Sequence, residues 1–217
     1  ALEARGAAFF LSDSVLRFEG NTAHLKSGKT VAFDLLVIAV GVRPNTELMK
    51  EAGGEVRRGI AVDECGRTSL PDIFAAGDCA ESFDIASGTS KVLALLPNAA
   101  FQGRAAGVNM AGGKAKLDNA VAFNSIGFFG THVMTAGVYE GEMYCERTER
   151  TYKALFTKDG LLKGFILINL PERAGIYLKL LKELIPLGTV DFEALKTSPA
   201  WSAFSPEARA KNFAREV

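Results

Sequence analysis

Histidine occurs only twice in these 217 residues and cysteine three times, and this scarcity excludes several chemistries at once. Cys65, Cys79 and Cys145 are widely separated, form no Cys-x-x-Cys pair and are odd in number, which argues against a disulfide framework. His24 and His132 stand alone, with no second His or Cys at ligand spacing, so no metal site is expected. Net charge is missing as well. Lys+Arg and Asp+Glu number 25 each, which leaves no global field to draw nucleic acid or an anionic membrane. The longest clear apolar run, Leu35 to Val42, is far too short to span a bilayer. No positively charged stretch leads into an apolar core and cleavage site near the N-terminus. A soluble, cytoplasmic protein is the expectation. Also missing are a Gly-x-Gly-x-x-Gly turn opening a βαβ unit and a Walker-type loop.

What is present reads, in order, as an α/β chain. Residues 8 to 33 have the pattern of a β-meander, with short strands expected at Phe9 to Leu11, Val15 to Glu19, Ala23 to Lys26 and Thr30 to Phe33. Turn signals at Ser12-Asp13-Ser14, Gly20-Asn21 and Ser27-Gly28-Lys29 separate them. Leu35 to Val40 is continuously apolar, as expected for a parallel strand buried on both faces. It ends at Gly41-Val42-Arg43-Pro44-Asn45, where Gly41 permits close backbone approach and Pro44 stops a strand. Thr46 is placed to cap a short helix that Gly53-Gly54 ends. Gly59 to Asp63 reads as a strand, and Glu64-Cys65-Gly66-Arg67 as a turn. Cys65 is expected to be incidental there.

The stretch that carries chemistry is Asp72-Ile73-Phe74-Ala75-Ala76-Gly77-Asp78-Cys79-Ala80-Glu81. Ile73 to Ala76 predicts a buried strand that stops at Gly77-Asp78, placing a carboxylate at the strand's carboxyl end, where open α/β sheets bind ligands. An ionised Asp is a pure acceptor with two oxygens, suited to the vicinal hydroxyls of a ribose or ribityl chain. A Gly-Asp turn also ends strands that bind nothing, so the pair by itself decides little. Downstream, Pro97 suits the first turn of a helix running to a stop at Gly112-Gly113. Gly103 and Gly107, four apart, predict a face packed tightly against a sheet.

From Lys114 to Asn119 the chain turns polar and a second pattern begins. Strands are predicted at Val121 to Phe129, Val133 to Val138, Glu142 to Arg147, Tyr152 to Thr157 and Leu161 to Asn169, with a hairpin at Asp159-Gly160. Glu172-Arg173 then opens an amphipathic helix with Ile176, Leu180, Leu181 and Leu184 on one face, ended by Pro186. Strands followed by a helix describe a separate α+β domain. In the tail, Phe192 to Val217, the aromatics Trp201, Phe204 and Phe213 are expected to dock on the body.

The ten-residue run ending at Glu81, the Gly41-Val42-Arg43-Pro44-Asn45 loop behind a β-meander, and the Pro97-Asn98-Ala99 helix start occur here in one order. In that order they resemble the flavin-dependent pyridine nucleotide–disulfide oxidoreductase superfamily. Ile126 to Gly130 and Ala174 to Tyr177 look most like its branch of rubredoxin reductases, NADH oxidases and nitrite reductase flavodomains. The resemblance implies a partial FAD/NAD(P)-binding Rossmann-like domain plus a C-terminal α+β interface domain. The implied boundaries are 1–45 for the end of the NAD(P)-binding domain, 46–116 for the second half of the FAD-binding domain, and 117–217 for the interface domain.

By the same resemblance Gly77 and Asp78 hold the ribityl chain of FAD. Pro97, Asn98 and Ala99 present backbone to the flavin at N1 and O2, and Gly41 lies beside both cofactors. Arg43 serves either a phosphate or a structural ion pair. No catalytic acid, base or nucleophile is expected in this stretch, because hydride transfer from NAD(P)H is the cofactor's own chemistry. Cys79 is expected to be filler rather than a redox thiol. The implied partners are a small redox protein, a disulfide, oxygen or another small-molecule acceptor, and a second copy in a homodimer. With no glycine-rich turn and no initiator Met, the chain looks like the C-terminal half of a longer flavoprotein. The alternative is a dimerising interaction module that does not retain FAD.

Overall fold

The computed structural model describes residues 2–118, 120–171 and 173–213. Ala1, Asn119 at the end of the polar junction, Glu172 at the expected helix start, and tail residues 214–217 lie outside the described residues. The chain separates into two compact units, residues up to Arg43 and residues from Pro44 onward.

The first unit is built on an antiparallel meander of β1 (Val15–Glu19), β2 (Thr22–Leu25) and β3 (Thr30–Ala32). Its register pairs Phe18 with Ala23 and Thr22 with Ala32. Strand β2 alternates cleanly, burying Ala23 and Leu25, and Phe18 meets Phe33 edge to face. Two expected strands do not form: Phe9 to Leu11 and Leu35 to Val40 lie outside any ladder. The latter run is also exposed rather than buried, with Leu35 at 80% and Val40 at 90%. A strand buried on both faces needs ladder partners and covering layers, and no described residue pairs with this run.

The second unit contains two sheets. β4 (Ile60–Ala61) pairs parallel with β5 (Ala80–Asp84), which pairs antiparallel with β6 (Thr89–Val92). A short helix α1 (Glu47–Glu51) precedes them, and α2 (Leu96–Met110) follows. Thr46 stands before α1 as expected, but its hydroxyl makes no cap. Instead the Glu47 carboxylate accepts the Thr46 N–H at 3.0 Å.

The strand expected at Ile73 to Ala76 is reduced to one bridge, Arg67 to Phe74. The ladder starts after the Gly-Asp pair, with Ala80 pairing Ile60, because the backbone first makes a 3-10 turn over Gly77–Cys79. Nor do Gly103 and Gly107 face a sheet. A Cβ on either would meet nothing within 4 Å. The buried face of α2 carries Asn98, Gln102, Ala105, Ala106 and Asn109.

Beyond the polar junction lies a five-stranded antiparallel sheet of β7 (Phe123–Phe128), β8 (Thr131–Gly137), β9 (Glu142–Arg147), β10 (Tyr152–Lys158) and β11 (Leu161–Ile168), in the order β7-β8-β11-β10-β9. Asp159 and Gly160 both take positive φ, 54° and 71°, which is what a tight two-residue hairpin requires. Helix α3 (Ala174–Lys182) packs on β11 with Ile176, Tyr177, Leu180 and Leu181 inward. These residues join Leu155, Leu162, Phe165 and Leu167 in the main core. Leu184 lies past the end of α3 and remains partly exposed. The tail adds α4 (Phe192–Thr197) and α5 (Pro206–Phe213), which the sequence reading did not specify. Phe204 is buried, and Trp201 meets it in a tilted pair at 4.9 Å; Phe213 meets Trp201 edge-on at 5.4 Å but stays largely exposed rather than docked.

A buried lysine fastens α4 to this sheet. Lys153 Nζ donates to Glu146 Oε2 at 2.8 Å and to the carbonyls of Lys196 and Thr197 at 2.6 and 3.2 Å. The Lys153 ammonium, then the Tyr144 hydroxyl, hold the Glu146 carboxyl below its usual value, while the bond to Glu146 pushes the Tyr144 hydroxyl up to about 12. A depressed carboxyl pKa stabilises the fold above the ordinary glutamate value, near 4.5, and that contribution is lost as pH falls through the lower folded value. We therefore expect melting temperature to fall between roughly pH 6 and pH 3 more steeply in the wild type than in Glu146→Gln. Parallel acid profiles for the two proteins would refute the linkage.

Candidate cofactor-binding site

Gly77 has φ of 83°, in the left-handed region. A Cβ there would meet only Ala99 Cβ, at 3.7 Å, so the glycine is required by backbone conformation rather than by crowding. The chain reverses at this point, and the Ala80 N–H closes the turn on the Gly77 carbonyl. Asp78 sits on the crest of the turn. Its side chain is exposed and makes no hydrogen bond or ion pair among the described residues. The carboxylate therefore keeps its full acceptor capacity.

The turn packs on the first turns of α2. Leu95, the residue before the helix, is extended and offers no side-chain cap. Pro97 has no N–H, and the Ala99 N–H is used on the Leu95 carbonyl at 3.0 Å. The N–H groups of Leu96 and Asn98 thus remain without backbone acceptors among the described residues. The Asn98 side chain turns inward and donates to the Val121 carbonyl at 3.1 Å. A helix start with open N–H groups and the positive end of its dipole favours negative charge.

Gly77, Asp78, Pro97, Asn98 and Ala99 are therefore brought together, with the difference that Ala99 contributes contact and no free amide. Gly41 and Arg43 belong to the first unit. Gly41 adopts φ of 94°, and Arg43 is exposed and forms no ion pair within its unit.

Gln102 is a member of this site that was not among the residues expected from the sequence. This side chain is 5% exposed. Its Oε1 accepts the Gly77 N–H at 2.7 Å, and its Nε2 donates to Ser82 Oγ at 3.0 Å. A signal was available. Asn98, Gln102 and Asn109 recur at helical spacing on one face of α2, and amides buried in this way must be satisfied by partners. Asn109 is used likewise, bonding the Cys65 carbonyl and both backbone groups of Ala115. A cavity of about 230 Å³, lined in part by Ala75, Ser82, Gln102 and Ala105, lies beside this network.

The family model described as pyridine nucleotide-disulphide oxidoreductase matches residues 1–103, a span that includes the Gly77-Asp78 turn and the start of α2. That segment belongs to this family. Among curated relatives, the chain is similar to the NADH-dependent phenylglyoxylate dehydrogenase subunit epsilon of Aromatoleum evansii, 34% identical over 86% of this chain and 48% of the relative. It is also similar to the rubredoxin-NAD(+) reductase of Pseudomonas putida, 37% identical over 46% of this chain and 28% of the relative. A solved FAD-dependent pyridine nucleotide-disulphide oxidoreductase from Desulfovibrio vulgaris aligns with a TM-score of 0.71 at 28% identity. That alignment covers 79% of this chain and 48% of the other. The chain spans half or less of the length of these relatives. The expected fold class, mixed α/β with a Rossmann-like portion, agrees with this neighbour.

Proposed function

We propose that the chain forms part of an FAD-dependent NAD(P)H oxidoreductase and contributes the half-site that grips the flavin's ribityl chain. The observation that carries this reading is the Asp78 carboxylate, exposed and unpartnered, on a turn packed against the open start of α2. The arrangement fits FAD on chemical grounds. An acceptor-only side chain suits sugar hydroxyls, and open helix N–H groups suit a ring that gains negative charge on reduction.

When bound, FAD would supply hydride acceptance from a nicotinamide and release of electrons to an acceptor. This chain's own residues would bind and orient. Asp78 accepts hydroxyl hydrogen bonds, and the Leu96 and Asn98 amides offer donors. Gly41 and Arg43 are proposed, by family resemblance, to lie beside both cofactors, with Arg43 serving either a phosphate or a structural ion pair. The further division into 46–116 and 117–217 belongs to the same proposal, as does a cytoplasmic location. The acceptor is proposed to be a small redox protein, following the rubredoxin-NAD(+) reductase among the relatives. Self-association to a homodimer is the remaining part, checked by sedimentation. Among the described residues no helix is long and apolar enough to cross a membrane.

The test is a titration of the purified chain with FAD, following flavin fluorescence. Asp78→Ala should weaken binding about 10- to 100-fold, the range expected for losing charge-assisted hydrogen bonds, while melting temperature stays unchanged. Equal affinity in the variant would remove Asp78 from the site. Wild-type protein that stays colourless with excess FAD would favour the interaction-module alternative, for which the exposed run from Leu35 to Val40 speaks.

A further inference from the structure

We propose that Gln102 is the positioning residue of this site: its buried amide fixes the backbone from which the Asp78 carboxylate projects. The inference rests on the reading of Asp78 as a ligand-holding group and adds the element that sets its direction. Asp78 has no side-chain partner of its own, so only the backbone on either side of it can define where the carboxylate points. On the far side, the Ala80 N–H closes onto the Gly77 carbonyl. On the near side, the Gly77 N–H has one acceptor, Gln102 Oε1 at 2.7 Å.

The orientation of that amide is fixed by chemistry. A backbone N–H can only donate, so the oxygen must face Gly77, and the nitrogen is left to donate to Ser82 Oγ at 3.0 Å. One side chain thereby ties α2, the Gly77–Cys79 turn and β5 together. Without it, the Gly77 N–H would lose its partner, and nothing in this glycine's own preferences would hold φ at 83°. The two arms have separate roles. The Gly77 arm sets the turn, whereas the Ser82 arm orients the amide and contributes to packing.

Three variants separate these roles. Gln102→Met keeps length and shape but cannot accept strongly, Gln102→Glu keeps an acceptor for Gly77, and Ser82→Ala removes only the second arm. Each is followed by amide hydrogen exchange of Gly77, FAD titration and melting temperature. Gln102→Met is expected to speed Gly77 exchange and weaken FAD about tenfold, the equivalent of one lost hydrogen bond. Gln102→Glu should restore FAD binding to near the wild-type value. Ser82→Ala should leave both Gly77 exchange and FAD affinity within about twofold, whatever it does to melting.

FAD affinity unchanged in Gln102→Met would overturn the proposal. So would a loss in Ser82→Ala as large as in Gln102→Met, since Gln102 would then act only through packing. Wild-type protein that takes up no FAD overturns the reading of the site itself. In that case Gly77 exchange still decides whether Gln102 holds the turn.

Discussion

Gly137→Ala is expected to destabilise the second unit by about 3–5 kcal/mol, the sum of left-handed strain and forced repacking. Gly137 ends β8 with φ of 71°, opposite Gly164 of β11. A Cβ there would stand 2.0 Å from the Lys163 carbonyl oxygen and 2.7 Å from Leu181 Cδ1. The leucine can move, but the carbonyl cannot, because it accepts the Val138 N–H at 2.9 Å and so holds β8 to β11. Either that bond opens or the sheet shifts under α3. Thermal unfolding followed by circular dichroism should show a drop of about 10 °C for a chain of this size. Gly175→Ala is the control. Gly175 has ordinary φ and no atom within 4 Å of a would-be Cβ, so the change should be neutral or stabilising by about 0.5–1 kcal/mol, as for helical glycines generally. A Gly137→Ala protein that melts with the wild type would mean that β8 does not approach β11 in this way.

Asp84→Ala should cost about 3 kcal/mol, through the loss of an acceptor that several donors share. The side chain is 0% exposed and ends β5. Its carboxylate accepts the Ala86 and Ser87 N–H groups at 3.3 Å, the Ser87 hydroxyl at 2.7 Å and Lys91 Nζ at 2.6 Å. The same residue bridges to Ala120, where the chain enters the five-stranded sheet. Lys91 is 35% exposed and can turn to water, so the larger part of the loss falls on the turn's N–H groups. Lys91→Met tests the converse case, leaving a buried carboxylate with neutral donors only. Urea unfolding of both variants gives the comparison. A loss under about 1 kcal/mol for Asp84→Ala would show that solvent replaces the carboxylate at little cost.

Much of the five-stranded sheet was legible in the sequence. Alternation and the Asp159-Gly160 signal locate β9, β10 and β11 to within a residue or two. Local chemistry suffices there, since each hairpin partner is the next segment along the chain. The candidate site was legible in part. The Gly77-Asp78 pair and the Pro97 helix start were visible as residue types, and Gln102 as one of three amides at helical spacing, but not its partners, which lie 25 and 20 residues away. The expected strand at Ile73 to Ala76 failed for the opposite reason. Its apolar pattern was right for a strand, but a ladder also needs a neighbour, and Phe74 finds only Arg67.

By itself, the sequence determined the order of elements and the pairing of a flexible glycine with an acceptor-only carboxylate. These follow from residue chemistry and short-range periodicity, which need no distant partner. Tertiary structure alone decided which apolar runs become strands and which face of α2 is buried. It also decided that a glutamine in mid-helix would hold the Gly77 amide. Each of these outcomes depends on whether a hydrogen-bond partner far along the chain arrives within about 3 Å, a condition that no local pattern encodes.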